Sequence, residues 1–383
     1  MWYNTVKEGD TMKLLKVTAN NFKNCEDAFS VDFVAVSKKT AEDKEYELLK
    51  VDDELYVFNS MAFVGKNASG KTSVLDLLDC CYSILGDFRL EGKHYGYSGI
   101  ELEIVFYHEA KIYLYTTRLK DDPTLANKAI FEDEHLYVKP YYKSNVKKIY
   151  DLSSFEELNN LGSLPEDTSK VFFVLNKKET RALFFDSYEY GADTYQVLFK
   201  AMSNYKIDTE IMMDIARIFD DNIKGLSKID EHNYELTFSR EKKTLSDTQL
   251  IYMLSSGTTK GLLLYTLVCA SLKQGFDLLI DEIENHFHKT LVENIISLYK
   301  DKTVNRNNAS LIFTTHYCEL LDQFGRMDNI WICKSNGKLR LENMHSDYDI
   351  RPELLKSRQF YGNAFQTAVN YDLLMKLKKR LKK

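Results

Sequence analysis

Proline is scarce in this chain, four residues in 383, which excludes proline-rich linkers and long disordered tracts as organising features. Cysteine occurs six times, at positions 25, 80, 81, 269, 318 and 333, but never as a C-x-x-C pair or beside histidines at zinc spacing. That pattern excludes a disulfide framework and a structural zinc site, and reads as small buried residues of a reduced, cytoplasmic protein. No apolar run reaches the length of a membrane span, and the N-terminal stretch lacks the apolar core of a signal peptide. No membrane partner is expected. Residues 1–11 precede the first clear strand pattern and read as a leader or upstream start without a role in the fold. A positive excess is lacking too: the formal net charge is −6, which excludes a uniformly basic coat for nucleic acid and leaves a local basic face open. No internal repeat is evident.

What is present is ordinary for a soluble globular protein, with 44% hydrophobic and 28% charged residues. The length suits two or three lobes, or one large α/β domain with insertions. From Lys13 to Phe22 and from Ala28 to Val36, apolar and polar residues alternate at the period of half-buried antiparallel strands, with Asn21, Phe22 and Lys23 at the turn. Ser37 to Glu54 is dense in charge and without period, and reads as a surface hairpin or loop. Gly99 to Thr117 alternates again and predicts a second strand pair. Lys120 to Ser169 reads as a solvated surface insertion, although its Tyr141, Tyr142, Lys143, Lys147 and Lys148 are suited to stacking bases and gripping phosphates.

Val171 to Leu175 reads as a short buried strand. Leu183 to Leu226 reads as a compact helical lobe, with Tyr195, Leu198, Met202, Ile211, Ile215, Ile218 and Phe219 at three- and four-residue steps. After a strand at Tyr234 to Phe238, buried helices and strands alternate: Leu262 to Leu272, Phe276 to Ile280, Leu291 to Tyr299 and Ser310 to Phe313. Such alternation predicts an α/β fold with a parallel sheet whose C-terminal strand ends carry the site. The chain ends in LLMKLKKRLKK, a basic helix end whose charges suit nucleic acid or an acidic partner as well as the helix's own dipole.

Four short segments carry chemistry. Gly65 to Thr72 reads GKNASGKT, between the apolar run Ser60 to Val64 and a helical run from Ser73 to Leu85, which is the strand–loop–helix setting of a Walker A loop. Gly65 and Gly70 let the backbone fold back so that the N–H groups of Lys66, Asn67, Ala68, Ser69, Lys71, Thr72 and Ser73 cradle an anion. Lys71, expected to face solvent until phosphate arrives, is placed to reach the β- and γ-phosphates of ATP, and the Thr72 hydroxyl is a hard ligand for Mg2+. Phe276 to Glu282 is a strand ending in two acids, which assigns Asp281 to the metal and Glu282 to the attacking water. Leu311 to His316 is another buried strand, ending in a histidine able to sense the γ-phosphate. Leu254 to Thr259, LSSGTT, opens an apolar helix and offers Ser255, Ser256, Gly257 and Thr258 as a second phosphate-binding surface.

In that order, the segments make the sequence resemble the ABC-type AAA ATPases of the SMC, RecF and OLD kind, most closely the stand-alone bacterial ATPases of phage-defence and abortive-infection operons. The NFK turn at 21–23, the EIEN run after Asp281 with His288 following, and TTH at 314–316 belong to the same resemblance, which extends from Lys13 to about Asp322 with a tail from Arg351. It implies a P-loop NTPase head of ABC type, with an N-terminal antiparallel β subdomain, a parallel-sheet core and a helical lobe insertion. It further implies that Ser255 and Gly257 of one copy close on ATP bound to the P-loop of another, in a homodimer or higher even-numbered oligomer. Nucleotide-driven pairing would control a separate effector, a nuclease or toxin, in phage defence or a DNA transaction. Lys23 is a lesser candidate for a phosphate or base-side contact.

The chain departs from the family pattern: no glutamine occurs before Gln196, so the Q-loop position lacks its residue, and no long paired coiled coil lies between the P-loop and the signature. The expected divisions are 12–118 with the P-loop, 119–250 as insertion and helical lobe, 251–345 with the signature, acidic strand and histidine, and 346–383 as a basic tail. A slow-turnover, nucleotide-gated scaffold or sensor of nucleic acid or a phage protein is the second reading of the same motifs.

Overall fold

The computed structural model describes residues 12–382 apart from 177–180, 187–190, 192, 286, 352–353 and 366–370. The reading of residues 1–11 and His286 of the EIENHFH run lie outside the described residues. A six-stranded sheet holds five parallel strands in the order Ala182–Asp186, Asp277–Asp281, Leu311–Thr315, Ser60–Val64 and Ile330–Asn336, and Lys338–Asn343 closes it antiparallel. Every residue of Asp277–Asp281, Leu311–Thr315 and Ser60–Val64 is buried.

Their side chains point alternately to two faces. Met61, Phe63, Leu279 and Ile312 join one apolar cluster, while Ala62, Val64, Leu278, Ile280, Leu311 and Phe313 join the other. Burying a large apolar side chain contributes roughly 1.5–3 kcal/mol, so each of these strands is held from both faces. For the same reason they read in the sequence as continuous apolar runs.

The first cluster also takes in a second six-stranded sheet, wholly antiparallel, in the order Phe29–Asp32, Lys13–Asn20, Glu101–His108, Lys111–Asp121, Ala129–Pro140 and Glu156–Glu157. The helix Lys71–Asp87 buries Val74, Leu75, Leu77, Leu78, Ile84 and Leu85 in that cluster. The second cluster gathers the helices Thr194–Asn204, Thr209–Phe219, Ser256–Gln274 and Lys289–Lys300, with a three-stranded sheet formed by Ile223–Lys228, Asn233–Phe238 and Glu241–Ser246.

Several expectations change. The stretch 120–169 is not a surface insertion, because Ala129–Pro140 pairs along Lys111–Asp121 and buries Phe131 and Leu136. Asp133 sits at φ 48° where the register shifts, and such an irregularity breaks the two-residue period that would have betrayed the strand. Val171 to Leu175 is a 3₁₀ turn over Lys170–Phe173, capped by Ser169, and not a strand. Leu183 to Asp186 is the edge strand of the parallel sheet, so the helices of the lobe begin only at Thr194.

Ser37 to Glu54 contains the helix Ala41–Tyr46 and the strand Leu48–Asp52, which forms a hairpin with Leu55–Phe58. Tyr141 is buried and donates its hydroxyl to the Asp53 carbonyl, so it is packed, whereas Tyr142 is exposed. Past 345 the chain is tied down before the basic end: Lys356 donates to the Phe324 carbonyl, Ser357 bonds Asp322, and Phe365 is buried against Tyr348 and Phe360.

Candidate functional site

The C-terminal ends of Ser60–Val64, Asp277–Asp281 and Leu311–Thr315 open into a cleft of about 740 Å³ lined by Asn67 to Ser73, Glu282, His316 and Leu339. The loop from Gly65 to Gly70 admits little else than glycine at its ends. A Cβ on Gly65 would lie 2.4 Å from Ser69 Oγ and 2.5 Å from the Cys333 carbonyl oxygen, and Gly70 adopts φ 91° with Leu339 2.7 Å from where its Cβ would stand. Gly70 is the N-cap of Lys71–Asp87 and provides no side-chain cap. The Ser69 hydroxyl, also buried, has no protein partner among the described residues. A helix start left uncapped, with its positive dipole end on the cleft, is suited to an anion.

Lys71 differs from the expected solvent-facing side chain. It is only 6% exposed and donates from Nζ to the carbonyls of Gly65 (3.1 Å) and Lys66 (3.3 Å), with His316 Nδ1 at 3.3 Å. Burial lowers its pKa, against the opposing charges of Glu282, Asp281 and Glu284. With the ammonium donating to Nδ1, the His316 proton sits on Nε2, which faces Glu282 Oε1 at 3.1 Å. A phosphate arriving in the loop therefore competes with its own backbone carbonyls and with His316 for the same ammonium.

Thr72 donates its hydroxyl to Asp281 Oδ2 at 2.8 Å, and Thr314 donates to the other carboxylate oxygen. Burial pushes the Asp281 carboxyl up, and the two hydroxyls oppose it. A buried carboxylate next to a hydroxyl is a hard-oxygen donor pair that gains from a small divalent cation, so these two residues fit Mg2+ once phosphate oxygens complete the shell. Among the described residues no group of three or more His, Cys, Asp or Glu is arranged to hold a metal alone.

Three contributors were not singled out in the sequence. Thr314 accepts the backbone N–H of Glu282 at 2.7 Å, holding Glu282 at φ 46°, a conformation that costs a non-glycine residue of order 1–3 kcal/mol and clusters at functional sites. Glu284, buried, accepts the His316 backbone N–H. Leu339 walls the cleft, held by backbone bonds to Asn24 and Glu26. The pattern TTH and the third acid of DEIE were signals for the first two. Leu339 left none, since a single apolar residue on a hairpin has no motif.

Lys23 lies outside the cleft lining. It pairs with Asp76 on the P-loop helix, 4.9 Å over the Tyr95 ring. Gln196, the first glutamine, is bound to Asp247 (3.0 Å) and His232 (3.0 Å), so it belongs to the helical lobe.

The segment Ser255–Thr258 is not brought to the cleft of its own chain. Ser255 caps Ser256–Gln274 by accepting the Thr258 N–H at 3.0 Å. Ser255 and Ser256 are exposed, Gly257 is half-buried and Thr258 buried. The helix behind them is tightly seated: a Cβ on Gly261 would fall 2.1 Å from the Phe219 ring.

A parallel sheet with a glycine loop, an acidic strand and a histidine strand converging on one cleft, and a separate capped helix behind it, defines an ABC/SMC-like ATPase. The chain belongs to the family described as "AAA domain, putative AbiEii toxin, Type IV TA system", whose pattern matches residues 60–322, more than half of its length.

Among solved structures it is similar to the SMC head domain from Thermotoga maritima, at 12% identity and a TM-score of 0.37 over 88% of this chain and 100% of that one. An SMC head bound to the C-terminal winged-helix domain of ScpA gives 11% identity and a TM-score of 0.44 over 86% and 96%. The ABC-transporter component cbiO1 from Clostridium perfringens gives 14% and 0.31 over 84% and 93%. Such identities and scores add nothing to what the sheet order already states. No curated protein matches the sequence. No described helix is long and apolar enough to cross a membrane.

Proposed function

We propose that the protein binds Mg-ATP in this cleft and hydrolyses it, and that bound ATP draws the Ser255–Thr258 surface of a second copy onto the phosphates. The observation that carries this reading is the linked set Lys71–His316–Glu282 and Thr72–Asp281–Thr314, which gathers three distant segments around one cleft while the fourth stays outside it. Lys71 leaves its carbonyls to hold the β- and γ-phosphates. His316, already hydrogen-bonded to Lys71 and Glu282, reports whether the γ-phosphate is attached. Glu282 orients and deprotonates the attacking water. Thr72 and Asp281 would hold a divalent cation, which when bound would supply positive charge to the phosphate oxygens.

A second copy supplies the exposed hydroxyls of Ser255 and Ser256 and the start of another helix, adding donors where negative charge develops. ATP then glues the pair and hydrolysis releases it. That cycle would control an effector, in line with a family whose description names a toxin of a toxin–antitoxin system, and phage defence is the setting we infer. The test is the oligomeric mass of Glu282→Gln with ATP and Mg2+ by light scattering, beside phosphate release by the unmodified protein. Doubling of mass with ATP and release of phosphate are expected. A single-chain mass at saturating ATP would remove the pairing, and absence of phosphate release would remove the enzyme.

A further inference from the structure

Three successive residues of the turn after Asp281 are bonded to the end of the histidine strand. The N–H of Glu282 donates to Thr314 Oγ1 at 2.7 Å, the N–H of Ile283 donates to the Thr314 carbonyl at 3.1 Å, and Glu284 Oε1 accepts the N–H of His316. Two of these bonds end on Thr314; the third reaches the histidine itself. Glu284 therefore ties the His316 backbone to the same turn that carries Glu282, whose Oε1 lies 3.1 Å from His316 Nε2.

The Glu284 side chain is an expensive way to hold a turn. It is 7% exposed, and its second oxygen is enclosed without a partner among the described residues. A half-satisfied buried carboxylate costs stability, and an apolar side chain of similar volume would fill the same place at lower cost. What the carboxylate adds is one acceptor on one N–H. That N–H belongs to the residue whose imidazole spans Lys71 Nζ, at 3.3 Å, and Glu282. A displacement of His316 by about 1 Å would break one contact or both, and misplacements of that size slow catalytic steps about a hundredfold.

We propose, resting on the reading of the cleft as an ATP-hydrolysing site, that Glu284 is a positioning residue. By accepting the His316 N–H it sets the reach of the imidazole to the Lys71 ammonium and to Glu282. It acts on hydrolysis through His316 and takes no part in holding the nucleotide.

Single-turnover phosphate release by the full chain, read beside its affinity for a fluorescent ATP analogue, tests this. Glu284→Ala lowers the rate about a hundredfold and leaves the Kd of the analogue unchanged; Glu284→Met, which fills the volume without an acceptor in that place, stands in should the alanine variant fail to fold. Glu284→Gln, whose amide oxygen can accept the same N–H, restores most of the rate. In the His316→Ala background Glu284→Ala adds no further loss, since the group it places is gone. The relation is also read without turnover, in protein isotopically labelled at histidine nitrogen. The His316 resonances, assigned by their disappearance in His316→Ala, move in Glu284→Ala and return towards their parent positions in Glu284→Gln.

Losses of equal size with and without His316, equal damage from Glu284→Gln and Glu284→Ala, or no loss at all would overturn the proposal, because a merely structural residue does not act through one histidine. If the unmodified protein released no phosphate, or His316→Ala released it at the parent rate, the cleft reading itself would fall and this inference with it.

Discussion

Two helices, one starting at the cleft and one away from it, begin differently. Lys71–Asp87 starts from a left-handed glycine with no side-chain cap, whereas Ser256–Gln274 starts from Ser255, whose hydroxyl already accepts from its own third turn residue, Thr258. The first start is completed only by an anion; the second is already a finished surface. The cleft is accordingly built inward, with Lys71 and Asp281 buried, and the signature start is built outward, with Ser255 and Ser256 exposed. On the proposed reading, a second copy brings the two together.

The sharpest way to break the comparison is at Glu282. Glu282→Gln keeps the side chain's volume and loses its basicity, so single-turnover hydrolysis should fall by about 10²–10⁴ while ATP affinity is retained. Equal rates would take the water-activating role away from Glu282. Lys71→Ala comes next: with charge-assisted hydrogen bonds to phosphate each worth about 1.5–3 kcal/mol, ATP affinity measured by calorimetry should drop about a hundredfold. Since Lys71 also secures the carbonyls of Gly65 and Lys66, the melting temperature of the nucleotide-free protein should fall as well. An unchanged Kd would remove Lys71 from the phosphate site.

The outward helix start responds in another manner. Ser255→Asp keeps a capping oxygen but sets a carboxylate against the phosphates of another copy. Its thermal stability should stay near that of the parent, while ATP-induced doubling of mass in the Glu282→Gln background is lost. Ser255→Ala, the mildest change, should cost about 1 kcal/mol through the cap, seen in a denaturant midpoint at constant slope. Doubling that survives Ser255→Asp intact would mean that this surface does not meet phosphate.

The inward half is largely legible in the sequence. GKNASGKT, FDLLIDE and LIFTTH are local patterns in which spacing alone dictates strand, loop and helix, and each of those strands ends on the cleft. The expectation of a solvent-facing Lys71 failed because its acceptors, the Gly65 and Lys66 carbonyls, exist only once the loop has folded. The edge strand Ala182–Asp186 was unreadable for a related reason: its register beside Asp277–Asp281 exists only in the fold, and its residues resemble a helix face. Ala129–Pro140 was hidden by an irregularity that shifts its alternation halfway along.

The contribution of a second copy is tested most directly by mixing two defective proteins. Lys71→Ala has a disabled P-loop and an intact signature surface; Ser255→Asp has the converse. A mixed pair restores one complete site, from the P-loop of the Ser255→Asp copy and the signature of the Lys71→Ala copy. The account predicts that phosphate release, negligible in each alone, returns on mixing. Two variants that remain inactive together, though each is folded, would contradict it.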